Sequence, residues 1–139
     1  MFSFFQSTQY EQVNFENVQY ALRNSNKYCL INTLPLAQQN CLIEGTINAL
    51  EEETIINEML HNFNIPDKQF IVYGKNYTDF STHSKVQQLQ RLGVKDTFVY
   101  GGGLFEWMLL QDVYGNQDFP TTTKELDLLQ YKCKKCKNI

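Results

Sequence analysis

Two stretches of this sequence carry side chains that could do chemistry. The first is "FIVYGKNYTDFS", residues 70–81, where an apolar run breaks into a short polar loop before a helical pattern begins. A strand that feeds a helix through such a loop turns backbone amides toward one spot. In α/β proteins anions bind and nucleophiles sit there. The loop is Gly74, Lys75, Asn76, Tyr77, Thr78 and Asp79, with no cysteine, serine or arginine among them. Thr78 offers a hydroxyl, but no neighbouring base is there to activate it. His83 follows on the helix and reads as a surface histidine. The second stretch is "CKKC", Cys133 and Cys136 set among Lys132, Lys134, Lys135 and Lys137. Nearby ammonium groups favour a thiolate, so the pair could carry a persulfide or cycle as a dithiol if the segment folds back on the loop. The plainer reading is a solvated, mobile basic tail. A zinc site would need more ligands than this pair supplies, and none is suitably spaced. Neither a metal nor a cofactor is expected.

The elements that must position the loop follow from periodicity. "YEQV" is a short strand, and "NFENVQYALRNSN" is a helix with Asn14 as its N-cap and Phe15, Val18, Ala21 and Leu22 on one face. "YCLINT" suits a buried strand with Cys29 as a small hydrophobe; Cys41, before the next apolar segment, stays ambiguous. "GTINAL" reads as a further extended piece. "EEETIINEMLHNFNIP" is a helix with an acidic start, an apolar stripe of Ile55, Ile56, Met59, Leu60 and Phe63, and a stop at Pro66. "QFIVY" and "TFVY" are adjacent central strands. Between them "STHSKVQQLQRLG" is a helix with Val86, Leu89 and Leu92 inward and Gly93 at its end. "GGGLFEWMLLQDVYG" enters a helix apolar nearly all round, hence deeply buried, with Trp107 in the core. Strands alternating with helices imply an α/β domain with a central parallel sheet of about five strands and helices on both faces. That domain spans residues 1–120. Residues 121–139 form a short amphipathic helix, "TKELDLLQY", and the basic tail with its C-x-x-C.

Composition narrows the classes. The chain has 139 residues, 42% of them hydrophobic, which fits one packed domain. A net charge of −3 leaves no basic footprint for nucleic acid, and Arg23 and Arg91 are the only arginines. No apolar run approaches the roughly 18 residues that span a membrane. "MFSFFQSTQYEQ" lacks the basic start and long apolar core of a signal peptide, so a cytoplasmic protein is expected.

Four blocks, in order, carry a family resemblance: "CLINT", "LIEGTIN", "FIVYGKNYTD" and "VYGGGLFEW". Across residues 10–114 the chain resembles the rhodanese-like domain of sulfurtransferases and Cdc25-type phosphatases. In that family "CLINT" stands where an apolar strand ends in Asp-Val-Arg. "LIEGTIN" matches His-Ile-Pro-Gly-Ala-Ile-Asn, keeping Ile43, Gly45, Ile47 and Asn48. The pairing of "YGKN" with "GGLFEWMLLQDVYG" and "FPTT" is similar to divergent, cysteine-lacking members from large DNA viruses and protists. Residence in a host cytoplasm or virion would follow for a viral member.

What the resemblance implies for the loop is loss. The family's nucleophilic cysteine stands directly after the strand, and an arginine often fills the sixth loop position. Here those positions hold Gly74 and Asp79. Asn32 stands for the aspartate, Leu34 for the arginine and Leu42 for the histidine. The sequence therefore reads as a non-catalytic rhodanese-like domain with a relict loop, serving binding, regulation or structure. Tyr77 and Phe80 offer a surface to a protein partner, while local packing explains them equally well. Weak binding of a small anion by the loop amides is left open. The alternative is a sulfurtransferase or thiol-redox protein that uses Cys133 and Cys136.

Overall fold

The computed structural model describes residues 10–62, 68–94 and 96–139. Phe63 and Pro66, expected to close the second helix, lie outside the described residues. The elements are β1 (Glu11–Val13), α1 (Phe15–Arg23), β2 (Tyr28–Asn32), α2 (Ala49–His61), β3 (Gln69–Tyr73), α3 (Ser81–Arg91), β4 (Thr97–Tyr100) and α4 (Gly103–Tyr114). Short 3₁₀ turns occupy Leu36–Gln38 and Leu128–Tyr131.

Helix starts follow local polar chemistry. Asn14 caps α1 through Oδ1, which accepts from the amides of Glu16 and Asn17, while Asn17 reaches back to the Asn14 amide. Asn48 caps α2 through the Leu50 amide, with Glu51 and Glu52 in the first turn beside the positive end of the helix dipole. Gly93, at φ +100°, ends α3 in a left-handed conformation that an L side chain resists.

The sheet is parallel throughout, in the order β1-β4-β3-β2. Among the described residues it has four strands, not five. The piece expected as the fifth, "GTINAL", meets β2 through a single bridge between Leu30 and Thr46, and the Ile47 amide donates to the Leu30 carbonyl at 2.9 Å. It then leaves the sheet because Asn48 starts α2. The Tyr73 hydroxyl fixes the same corner, accepting from the Ile43 amide at 3.1 Å and lying 2.7 Å from Thr46 Oγ1. Burial pushes that phenol far above its ordinary range, so it acts as a neutral strut.

The sheet separates two apolar layers. One holds Val18, Leu30, Tyr73, Tyr100, Trp107 and Phe119; the other holds Ile31, Ile56, Phe70, Val72, Val86 and Leu89. Trp107 is fully buried as expected, and its indole N–H donates to the Pro120 carbonyl at 3.1 Å. Two burial expectations need correction. Helix α4 buries one face only, leaving Val113 73% and Tyr114 66% exposed. Leu92 is also exposed, since it lies past the last residue of α3. Among the described residues, no helix is long and apolar enough to cross a membrane.

The segment beyond Pro120 departs most from expectation. "TKELDLLQY" is no amphipathic helix; only Leu128–Tyr131 turns, as 3₁₀. The backbone instead runs antiparallel to residues 42–44. Thr121 bridges Ile43, and the Thr122 amide donates to the Leu42 carbonyl at 2.8 Å. The Cys41 thiol donates to the Thr123 carbonyl at 3.2 Å. Tyr131 is buried in the layer that holds Trp107. Packing thus runs unbroken across the expected boundary at residue 120, because burying Tyr131 outweighs freeing a polar strand to solvent.

Candidate functional site

Residues 74–79 connect the C-terminal end of β3 to α3, next to the N-terminus of α4. Their carbonyls are bound first. Gly74 O accepts from the Leu104 amide at 3.0 Å and Lys75 O from the Phe105 amide at 2.9 Å. The α4 N-terminus, which could have faced a ligand, is thereby spent on the loop. That contact needs Gly103, whose φ is +69°. A Cβ there would lie 2.9 Å from Gly74 O and 3.0 Å from the backbone of Asn76.

Side chains of the loop bind its remaining polar groups. Asn76 is buried; its Oδ1 accepts from the Thr78 amide at 3.0 Å and the Thr78 hydroxyl at 2.6 Å. Its Nδ2 donates to the Tyr131 carbonyl at 2.9 Å. The Thr78 hydroxyl therefore serves an amide oxygen, and no base adjoins it. His83 does not turn to the loop: its ring lies edge-on to Tyr10 at 6.0 Å.

Asp79 does what a bound anion would do. Oδ2 accepts from the Lys75 amide at 3.0 Å, and Oδ1 accepts from the Ser81 amide at 3.0 Å. The Ser81 hydroxyl lies 2.5 Å from Oδ1 and 2.7 Å from Thr33 Oγ1. Burial pushes this carboxyl up, but the hydrogen bonds from Lys75 and Ser81 and the Lys75 ammonium outweigh it, leaving the pKa below the ordinary value. A Cβ on Gly74 would stand 2.6 Å from Asp79 Oδ2. The glycine and the aspartate fit together: the carboxylate fills the space a side chain at position 74 would need.

This arrangement predicts an acid dependence. A carboxyl depressed by folding stabilises fully above its unfolded pKa, near 3.9, and that contribution disappears as pH falls through the lower folded value. Urea unfolding of Asp79→Asn beside the unaltered protein should show a deficit at about pH 6 that shrinks toward about pH 3. A deficit of constant size over that range would contradict the assigned hydrogen bonds.

The positions that the resemblance aligned with polar scaffold residues do structural work here. Leu34 and Leu42 are buried in the core, and Asn32 Oδ1 accepts from the Leu34 amide at 3.0 Å. Of the tail thiols, Cys133 comes to the loop: its Sγ lies 3.7 Å from the Tyr77 hydroxyl. That contact raises the Tyr77 phenol pKa. Cys136 is exposed, and all four cysteines are free. No group of three or more His, Cys, Asp or Glu side chains is placed to hold a metal among the described residues.

The start of the basic tail lies at the loop. Tyr131 anchors it, and Lys132 and Lys134 line a groove of about 620 Å³ together with Lys75, Asp79, Thr33 and Ser81. Sequence reasoning missed Ser81 and the two tail lysines as site residues. An Asp-x-Ser step at a helix start is a turn signature, so Ser81 had a readable signal. The lysines had none, since a charge run looks the same whether solvated or docked.

No family model matches the chain, and no curated protein matches its sequence. Solved structures do resemble it. A full-length protein from Lactobacillus plantarum aligns over 81% of this chain and 88% of its own, with a TM-score of 0.59 at 20% identity. A rhodanese-like domain from Anabaena aligns over 84% and 81%, with a TM-score of 0.54 at 17% identity. A thiosulfate sulfurtransferase from Pseudomonas aeruginosa is similar over 72% of this chain but only 19% of its own, with a TM-score of 0.55 at 18% identity. The fold is rhodanese-like.

Proposed function

We propose that this protein is a non-catalytic rhodanese-like domain, a binding or regulatory module whose anion cradle is closed by its own side chain. One observation carries the reading: the Asp79 carboxylate holds the amides of Lys75 and Ser81 where a substrate anion or persulfide would need them. Gly74 at the nucleophile position offers no atom to attack with, and the Asp79 charge repels an anionic donor. The resemblance of "YGKN" and "GGLFEW" supports a place among the cysteine-lacking viral and protist members, acting in the cytoplasm. Its ligand is a protein partner met at the loop, where Tyr77 is 74% and Phe80 85% exposed.

A thiosulfate:cyanide sulfurtransferase assay tests this, with no turnover above background expected. Gly74→Cys alone should remain near background, because the new side chain meets Asp79 and its thiolate is disfavoured by that charge. Gly74→Cys with Asp79→Arg removes both obstacles and should transfer sulfur about tenfold faster or more, the effect of roughly one unit of thiol pKa. Robust transfer by Gly74→Cys alone would falsify the argument from Asp79.

A second reading rests on the position of Cys133 beside Tyr77. A tail thiol at the loop could accept a sulfane sulfur as a persulfide while the donor leaves as its reduced anion. On that reading the unaltered protein has activity, and it vanishes in Cys133→Ser with Cys136→Ser.

A further inference from the structure

The groove at the loop carries a charge out of character with the chain. The molecule as a whole has net charge −3. Yet Lys75, Lys132 and Lys134 line the groove, and the one acid there, Asp79, is bound by the Lys75 and Ser81 amides. The Lys75 ammonium acts on Asp79 at a distance, which leaves the groove with a net positive charge from Lys132 and Lys134; among the described residues a close ion pair occurs only at Lys85–Glu52. Lys135 and Lys137 continue the positive run. Flanking the lining residues Thr78 and Asp79 in the chain are Tyr77 and Phe80, both exposed, and the Tyr77 hydroxyl meets Cys133 between the lining residues Lys132 and Lys134. Exposed aromatic side chains are what interfaces bury, and surrounding charge selects the partner.

The occupant follows from what is already satisfied. A small tetrahedral anion needs converging amides, and those of Lys75, Thr78 and Ser81 are held by Asp79 and Asn76. Lysines at a rim are point charges on flexible stems, suited to carboxylates that arrive on a chain. Two exposed rings need an apolar side chain to cover them. We infer that the groove between residues 74–80 and the returning segment 131–134 docks an acidic peptide segment of a partner protein. Its carboxylates would meet Lys75, Lys132 and Lys134, and an apolar side chain would cover Tyr77 and Phe80. This inference rests on the non-catalytic reading of the same loop.

Selection of a phage-displayed random peptide library on the full-length chain tests it. Enriched peptides should combine Asp or Glu with an aromatic or aliphatic residue, and binding should weaken as salt rises. Lys132→Gln with Lys134→Gln should weaken the selected peptides about tenfold, as should Tyr77→Ser with Phe80→Ser. All four positions are exposed, so these variants should keep the parent melting temperature. A library that yields no binder, or binders without acidic bias, overturns the inference. So does binding untouched by either double variant, or displacement of the peptides by millimolar sodium sulfate at constant ionic strength, which would mark a small-anion site. The sulfurtransferase assay separates the two claims. Activity without loss of peptide binding removes the non-catalytic reading alone, whereas no activity and no binder removes the docking claim alone.

Discussion

Gly103→Ala is expected to lower stability by about 3–4 kcal/mol, combining the left-handed strain of a non-glycine residue with overpacking. The clash is with backbone, not with a side chain that can swing away. A Cβ would lie 2.9 Å from Gly74 O and 3.0 Å from both N and Cα of Asn76. Relief requires the loop to move off α4, which would break the hydrogen bonds from the Leu104 and Phe105 amides. For a chain of this size the melting temperature should fall by roughly 10 °C. Gly93→Ala is the control. Its φ of +100° imposes strain too, but its Cβ would meet only Leu60 Cδ2 at an ordinary 3.7 Å. That variant should cost about 1 kcal/mol. Equal losses for the two, measured by urea unfolding, would show that the loop yields easily and is not clamped by α4.

Deleting residues 121–139 should abolish cooperative folding, whereas deleting 132–139 should shift stability by no more than about 0.5 kcal/mol. The longer deletion removes Tyr131, 3% exposed, from the layer around Trp107. Loss of a buried aromatic side chain costs about 3–5 kcal/mol. It also takes the carbonyl that Asn76 Nδ2 donates to, leaving a buried donor unmatched at about 1–3 kcal/mol. The bridge from Thr121 to Ile43 and the bond from the Thr122 amide to Leu42 go as well. Together these losses approach the roughly 5–15 kcal/mol by which domains are stable at all. Circular dichroism melts of both truncations check this. A cooperative transition in the longer deletion would restore the boundary at residue 120.

The sequence made the scaffold legible and the tail illegible, for one physical reason. Val18, Val86, Leu89 and the runs "CLIN" and "FIVY" repeat at the helical or strand period, so burial follows from local pattern. Gly74 and Asp79 could each be read as a missing group, but their mutual fit could not, because it depends on the carboxylate turning back onto two amides. Tyr131 lies beside a basic stretch with no period of its own; it is buried in the layer around Trp107, and its carbonyl is held by Asn76, 55 residues away. "GTIN" has a strand's composition, yet Asn48 caps a helix and ends the pairing after one bridge, so no fifth strand forms there.

The return of the C-terminal segment also sets a clock on synthesis. Leu42 and Thr122, which hydrogen-bond through amide and hydroxyl, are 80 residues apart in the chain. At about 5–20 residues per second, Thr122 is made about 4–16 s after Leu42. Throughout that interval the Leu42 amide and carbonyl and the Cys41 thiol lack the partners that residues 122 and 123 supply. Strand β1, made first, likewise waits for β4 before it can pair. Non-local parallel pairing of this kind is slow and leaves apolar surface open to other chains. A nascent chain stalled before Tyr131 should therefore be held by chaperones that grip exposed apolar segments, and it should leave them only when residues 121–131 have cleared the ribosome.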